Sequence, residues 1–363
     1  MLLNIFVLGL SFFISLFYLK FSIKKKLNME FSSKNQERKD WKVSVIIPAR
    51  NEERNIGKIL SFLSQQSIPI YEIIVVDDNS WDKTYEIASS FKNVKVVRLT
   101  TEPPKGWVGK SWAIWNGYLS SSGDLLVFMD ADVEPSYHAI ESLVTQYEKY
   151  GGLISVWPYQ RFERFYEHLS LTFNFLVVYA SNMLGFPSKK PSGVFGPVIL
   201  TSRKDYEYTG GHEAVRDSVL EDIKLGKLYV NKGIRVTNFI GNGIIKFRMY
   251  PEGFKQLFEG FSKNMSSGAI SGGFINFLLA FVWIAGFYSS FSNFTFPIWY
   301  ILLRHLVFST LVYILSKSIG GYKWYDALLY PVHFSFFLIV FFYSLYRTVV
   351  VRKVTWRGRE IDV

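Results

Sequence analysis

The 363-residue chain contains no cysteine, which excludes a disulfide framework, a thiolate zinc site, an iron–sulfur cluster and a cysteine nucleophile together. Acidic residues are also in the minority, 30 Asp and Glu against 41 Lys and Arg, leaving a formal charge of +11. A surplus of that size ordinarily points to nucleic acid. Its distribution points elsewhere: residues 20–42 hold eight Lys/Arg and three Asp/Glu, and residues 347–363 hold five and two. Eight of the eleven surplus charges therefore flank apolar stretches, where anionic cytoplasmic headgroups select them, and no nucleic-acid partner is expected. What is present is apolar and aromatic surface. A chain 49% hydrophobic and 18% aromatic is too apolar for an ordinary soluble protein, and 20% charged residues are too many for a simple helix bundle. The composition predicts a soluble domain joined to membrane segments.

Leu2 to Leu19 runs without a charge, with no cationic stretch ahead of it and Lys20, Lys24, Lys25 and Lys26 behind it. This is the reverse of a secretory signal and reads as a retained anchor over residues 1–20, followed by a basic linker over 21–40 whose side is cytoplasmic. Three further apolar stretches, Phe274–Phe291, Phe296–Ser316 and Leu328–Tyr346, each approach the ~20 residues of a spanning helix, giving a C-terminal membrane region over 271–346 and a basic tail over 347–363. If all four cross, Arg347, Arg352, Lys353, Arg357 and Arg359 fall outside, against the positive-inside rule. One stretch is then expected not to cross. The third carries Arg304 and His305 in its middle, costly against lipid, and the fourth carries Pro331 and His333 near its start; both readings stand at this point.

Between about 41 and 270, short β-branched runs alternate with helical periodicity. Val43–Ile47, Glu72–Val76, Val94–Val97 and Leu125–Met129 read as strands; Glu52 to Gln66, with Ile56, Ile59, Leu60 and Leu63 on one face, reads as a helix, as do the stretches from Asp82 and Gly109. Such alternation implies an open α/β sheet with parallel strands, whose ligands lie beyond the carboxyl ends of the strands. There stand Asp77-Asp78-Asn79-Ser80 and Asp130-Ala131-Asp132, not a glycine-rich phosphate loop, which excludes a dinucleotide-type fold. Two carboxylates at i and i+2 leaving a strand point the same way, and beside a diphosphate they require a divalent cation, Mg2+ or Mn2+. Turn and capping chemistry is the alternative for the same residues. Gly106-Trp-Val-Gly-Lys110-Ser111 ends like a Walker A loop, but two residues rather than four separate Gly106 from Gly109-Lys110; a turn feeding a helix N-terminus, with Lys110 near phosphates, fits better.

VSVIIPARNEERNI from Val43, EIIVVDDNSWDKT from Glu72, MDADV from Met129 and VLEDIKLG from Val219, in that order and spacing, resemble the family 2 glycosyltransferases over residues 41 to about 265. GWVGKSWA from Gly106, the Gly210-Gly211-His212 run and TWRGREI from Thr355 resemble its membrane-bound branch, which includes ceramide, hopanoid-associated and carotenoid (diaponeurosporenoate) glycosyltransferases. The resemblance implies a GT-A-type open, mostly parallel sheet with flanking helices, plus transmembrane helices at both ends. It implies a nucleotide pocket walled by Pro48, Ala49 and Glu52, with Asp77 or Asp78 bonded to base or ribose, and a metal held by Asp130 and Asp132. Asp222, in the Glu221-Asp222 pair, matches the base that deprotonates an acceptor hydroxyl. An inverting displacement needs one such carboxylate opposite the leaving group and no covalent intermediate.

The Gln-x-x-Arg-Trp signature of processive members is missing, which favours transfer of a single sugar. In its place stands Tyr250–Asn264, where Lys255 and Lys263 are candidate cations for the diphosphate. His212 reads equally as an acceptor contact or a structural residue. The aromatic stretch 163–187 is broken by Glu163, Arg164, Glu167, His168 and Asn174, and reads either as a core segment or as an interfacial helix through which a lipid enters. The expectation is a multi-pass enzyme with a cytoplasmic catalytic domain, moving a sugar from a UDP- or GDP-sugar to a lipid acceptor. A polyprenyl-phosphate sugar synthase and a non-catalytic membrane scaffold are the alternatives.

Overall fold

A computed structural model describes residues 2–28, 39–185, 190–271, 274–292, 296–347, 353–356 and 359–362. Its strands, in chain order, are β1 (Val43–Ala49), β2 (Glu72–Asp78), β3 (Val94–Leu99), β4 (Leu125–Met129), β5 (Val133–Pro135), β6 (Leu153–Trp157), β7 (Tyr159–Gln160), β8 (Val198–Ser202), β9 (Val236–Ile240), β10 (Ile245–Phe247), β11 (Lys353–Trp356) and β12 (Arg359–Asp362). Two compact units result: residues 26–159 with 188–247, and residues 1–25 with 160–187 and 248–363. The sheet unit ends at residue 247, and residues 160–187 group with the apolar helices.

In the sheet unit seven strands lie in the order β3-β2-β1-β4-β8-β6-β9. β3, β2, β1 and β4 run parallel, β8 is antiparallel between β4 and β6, and β6 and β9 are parallel. The central strands carry continuous apolar runs, Val45–Ile47, Ile73–Val76 and Leu125–Met129, because both faces are covered. Val45, Ile47, Ile73, Val75, Val127 and Met129 pack into one core layer, and their alternates Ile46, Ile74, Val76, Leu126 and Phe128 pack into the other, which is the two-residue period of a strand. The helix Ile56–Leu63 buries Ile56, Ile59, Leu60 and Leu63, the stripe expected from i, i+3, i+4, i+7 spacing. It starts later than the periodicity suggests, because Asn51 takes φ 56° and residues 52–55 form turns.

In the second unit the helices Leu2–Ile23, Phe274–Ser292 and Ile298–Ser316 are long and apolar enough to cross a membrane. Small residues let the first two approach closely: a Cβ on Gly286 would lie 2.1 Å from that of Ser11, and Ser15 accepts a 2.8 Å bond from the Trp283 indole. Arg304 does not face lipid. It is buried, stacks on Phe296 and Tyr300 at 5.0 and 4.9 Å, and donates to Asn4 at 3.2 Å. The fourth apolar stretch breaks at Leu329 into Trp324–Leu328 and a 17-residue helix, Tyr330–Tyr346, shorter than the other three.

The segment 163–187 is built differently from a single interfacial helix. It runs through three short pieces, Phe165–Ser170, Leu171–Phe175 and Leu176–Ala180, and most of its side chains from Glu167 to Ala180 are buried. The polar residues that break its pattern have internal partners. Glu167 takes two bonds from Arg248, at 2.9 and 2.6 Å, His168 Nδ1 meets Asp326 at 2.9 Å, and Asn174 donates to the Tyr322 hydroxyl at 2.7 Å.

Candidate active site

Of the acidic residues singled out in the sequence, Asp77 and Asp78 end β2, and Asp130 and Asp132 follow β4. β4 stops at Met129, so Asp130 and Asp132 flank a turn closed by the Val133 N–H on the Asp130 carbonyl at 3.2 Å. They do not alternate along an extended strand: Asp130 follows the last residue of β4, and Asp132 lies within the turn. Asp130 is tied from behind by its own N–H to Pro197 O at 2.9 Å.

Lys110, at the start of the helix Gly109–Leu119, joins this turn to the other acidic pair. Its ammonium is 2.7 Å from Asp130 Oδ1 and 3.6 Å from Glu221 Oε1. Burial works against that charge, but Asp130, Glu221 and Asp222 together hold Lys110 well above its usual range. Glu221 and Asp222 occupy the first turn of the helix Glu221–Asn231, where the positive helix end and the Ile223 N–H, 2.8 Å from Asp222 Oδ1, favour carboxylates. Burial prevails over these. It pushes Glu221 up to about 7, opposed by Lys110 and reinforced by Asp222, and it raises Asp222 as well, again against Lys110. A carboxylate with a raised pKa is a competent proton acceptor near neutrality.

The pair is held by backbone contact. A Cβ on Gly196 would sit 2.9 Å from Asp222 Oδ2, and one on Gly226 would sit 2.5 Å from the Gly193 carbonyl carbon. The loop before β8 therefore lies directly against Asp222 and its helix, with no room for side chains at these glycines. Sequence reading missed this loop, although glycines at 193, 196 and 226 were visible.

On the neighbouring strands, Ala49 of β1 and Asp77 of β2 are register partners. Asp77 is fully buried, and burial pushes its pKa up against the opposing pull of Ser80 and of the Arg98 charge. Arg98 Nε stands 3.7 Å from it. Asp78 is met by Arg50, which is 3.5 Å from its carboxylate and donates to its carbonyl at 3.0 Å. After Pro48, the turn is fastened to the β2 loop by Asn51 N–H to Ser80 Oγ at 3.0 Å and by Glu52 N–H to Thr84 Oγ1 at 2.7 Å. Arg50 stands inside the motif that begins at Val43 but was given no role there, and Arg98 lies outside every motif and meets Asp77 through strand register.

His212 is buried. Its Nδ1 is 2.8 Å from the Tyr206 hydroxyl, which also accepts its backbone N–H at 3.0 Å, and burial, aided by Lys110, lowers its pKa to about 3. The preceding Gly211, at φ +50°, lets the Tyr206 ring pass where a Cβ would be 2.3 Å away. Lys255 is 90% exposed and pairs along its own helix with Glu259 at 4.0 Å. The side chain of Lys263 lies outside the described residues.

Among the described residues no group of three His, Asp or Glu forms a complete metal site. The half-exposed Asp130 and Asp132 nevertheless suit a hard cation that keeps waters and completes its shell with substrate phosphates, and Asp130 already receives one cation, the Lys110 ammonium.

Residues 44–209 match glycosyl transferase family 2. The chain is 34% identical over 348 residues, 92% of each protein, to a 4,4'-diaponeurosporenoate glycosyltransferase of Staphylococcus haemolyticus (strain JCSC1435). It is 33% identical over 334 residues, 88% of each, to the enzyme of the same name from Staphylococcus aureus (strain USA300). In fold it is similar to a mannosyltransferase from Pyrobaculum calidifontis solved with GDP-Man and Mn2+, at a TM-score of 0.53 and 16% identity, covering 96% of this chain and 98% of that one. The open, mostly parallel sheet with flanking helices is thus a GT-A-like fold, and the chain belongs to glycosyl transferase family 2 as a glycosyltransferase.

Proposed function

We propose that this enzyme is membrane-bound and inverting, and moves a single sugar from a UDP- or GDP-sugar to the hydroxyl of a lipid acceptor at the cytoplasmic face. The observation that carries the reading is the contact of Lys110 with both Asp130 and Glu221, which gathers the donor carboxylate and the Glu221-Asp222 pair into one charge cluster. Asp222 takes the acceptor proton as the hydroxyl oxygen attacks the anomeric carbon; the bond to the diphosphate breaks and the diphosphate leaves with the electron pair. Lys110 lies where it can offset charge on the departing diphosphate. Asp130 and Asp132 would hold Mg2+ or Mn2+, which when bound supplies electrostatic stabilisation of the leaving group. The structural neighbour solved with GDP-Man and Mn2+ supports donor class and metal alike.

The relatives' names support an isoprenoid acceptor. They also favour a second reading, because a carotenoid "-oate" is a carboxylate and an acceptor already ionised needs no base. The same holds for a polyprenyl phosphate. Membrane insertion follows the three long helices. With the Leu2 end outside and Tyr330–Tyr346 not crossing, the sheet unit and the basic tail both face the cytoplasm, and the conflict between span count and positive charge disappears. The test is a panel of UDP- and GDP-sugars bound with Mn2+, followed by mass spectrometry of lipids from cells expressing the chain. A glycolipid specific to the expressing cells is expected; no binding of any nucleotide sugar would overturn the reading.

A further inference from the structure

Ser155, in the middle of β6, and Asn238, in the middle of β9, are fully buried polar residues and register partners across the sheet. Apolar side chains would fill such positions without needing partners, so what this pair binds is informative. The Ser155 hydroxyl donates to Asn238 Oδ1 at 2.7 Å and accepts the Phe195 N–H at 2.9 Å. Asn238 Nδ2 in turn donates to the Gly193 carbonyl at 2.9 Å. These bonds fix one another's direction: the hydroxyl proton goes to Asn238, a lone pair is left for Phe195, and the amide turns its N–H edge toward Gly193. Both ends of the chain of bonds land on one loop.

That loop reaches the two acidic sites in consecutive residues. Gly196 lies against Asp222, where a Cβ would be 2.9 Å from Oδ2, and Pro197 accepts the Asp130 N–H at 2.9 Å. Gly193 itself packs on the same helix, where a Cβ would be 2.7 Å from Ile223 Cα. The run Gly193–Pro197 is therefore fastened to the sheet at one end and touches Asp222 and the Asp130 backbone at the other.

We propose that Ser155 and Asn238 are positioning residues for the transfer step: by anchoring this loop they set the place of Asp222 relative to Asp130. They touch no substrate. The inference rests on the function proposed above and adds to it the device that holds the base in place. Transfer is sensitive to such placement, since a shift of about 1 Å can cost roughly a hundredfold in rate. Nucleotide binding does not use the base, so release of the loop falls on turnover rather than on affinity.

The test compares Ser155→Val with Ser155→Thr in the full chain in detergent with Mn2+. The two side chains have nearly the same shape and differ in the hydroxyl, which holds packing constant. Three quantities are read: hydrogen exchange at Val194, Phe195 and Gly196, affinity for UDP and GDP, and single-turnover transfer from the UDP- or GDP-sugar that the native chain uses. Ser155→Val should speed exchange in the loop and slow transfer, each about tenfold, as loss of one buried hydrogen bond does, with nucleotide affinity within about threefold of native. Ser155→Thr should recover most of both losses. Asn238→Ala, made with and without Asp222→Asn, separates positioning from stability: its loss of about tenfold in transfer should shrink to about twofold or less once the base is gone. An equal loss in both backgrounds, or a Ser155→Val chain that transfers as well as Ser155→Thr, overturns the proposal. Near-normal transfer by Asp222→Asn alone, or a native chain that uses no nucleotide sugar, would instead remove the proposed function and this inference with it.

Discussion

Each unit buries a cluster of ionisable groups, and the two clusters are built on opposite terms. In the second unit, Glu167, Arg248, His168 and Asp326 satisfy one another at hydrogen-bond distance; Glu167 also takes the N–H groups of Glu163 and Arg164 at 2.7 and 3.2 Å, and Asp326 that of Lys323 at 2.6 Å. In the sheet unit, the charges of three carboxylates bear on one ammonium, and glycines rather than side chains abut Asp222. A network that is fully paired holds a fold together. One left with excess negative charge and raised carboxyl pKa values is unfinished without substrate, which is the mark of a functional site.

The contrast makes removal of Lys110 the most damaging change to the sheet-unit cluster. Lys110→Met should lower turnover by about two to three orders of magnitude, as loss of a charge-stabilising group does, with the protein still folded by circular dichroism. Gly196→Ala comes next. Its methyl group would displace Asp222, with an overpacking cost of about 1–3 kcal/mol and a drop in kcat larger than any change in nucleotide affinity.

In the paired network the response should be the reverse. Asp326→Ala leaves His168 and the Lys323 N–H without their acceptor, and should lower stability by roughly 3 kcal/mol while donor affinity in the molecules that remain folded is unchanged. A milder probe is pH. Because burial raises Glu221 from 4.5 to about 7, the native state holds that proton more tightly than the unfolded chain; its contribution is complete below about 4.5 and is lost as pH rises through about 7. Thermal melts of Glu221→Gln against the native chain should therefore show an advantage for the variant that grows from pH 5 to pH 8. Topology gives the smallest perturbation. In a chain without cysteine, a single thiol at Ser292→Cys should react with an impermeant maleimide on intact cells, and one at Val363→Cys should not.

How far the sequence was readable follows the same division. The β-branched runs and the acidic residues that end them were legible because a strand buried on both faces leaves a continuous apolar signature, and its polar end stands out against it. Arg98 was not, since nothing local distinguishes a residue that reaches Asp77 through the register of the next strand. Asp130 and Asp132 were singled out on an argument about strand alternation that the turn after Met129 replaces. The stretch 163–187 was ambiguous because partners such as Arg248, Tyr322 and Asp326 are remote in sequence. Arg304, a liability against lipid when read along the chain, is shielded by Asn4 and two aromatic rings.

The account turns on Asp222 as the group that takes the acceptor proton. The direct measurement compares Asp222→Asn with the native chain, with Mn2+ present, for nucleotide-sugar binding and for single-turnover transfer to the lipid acceptor. The account predicts binding within a few-fold of native and transfer lower by at least about a hundredfold. Near-normal transfer would contradict it, removing the base and the hydroxyl acceptor together and leaving an acceptor that arrives already ionised.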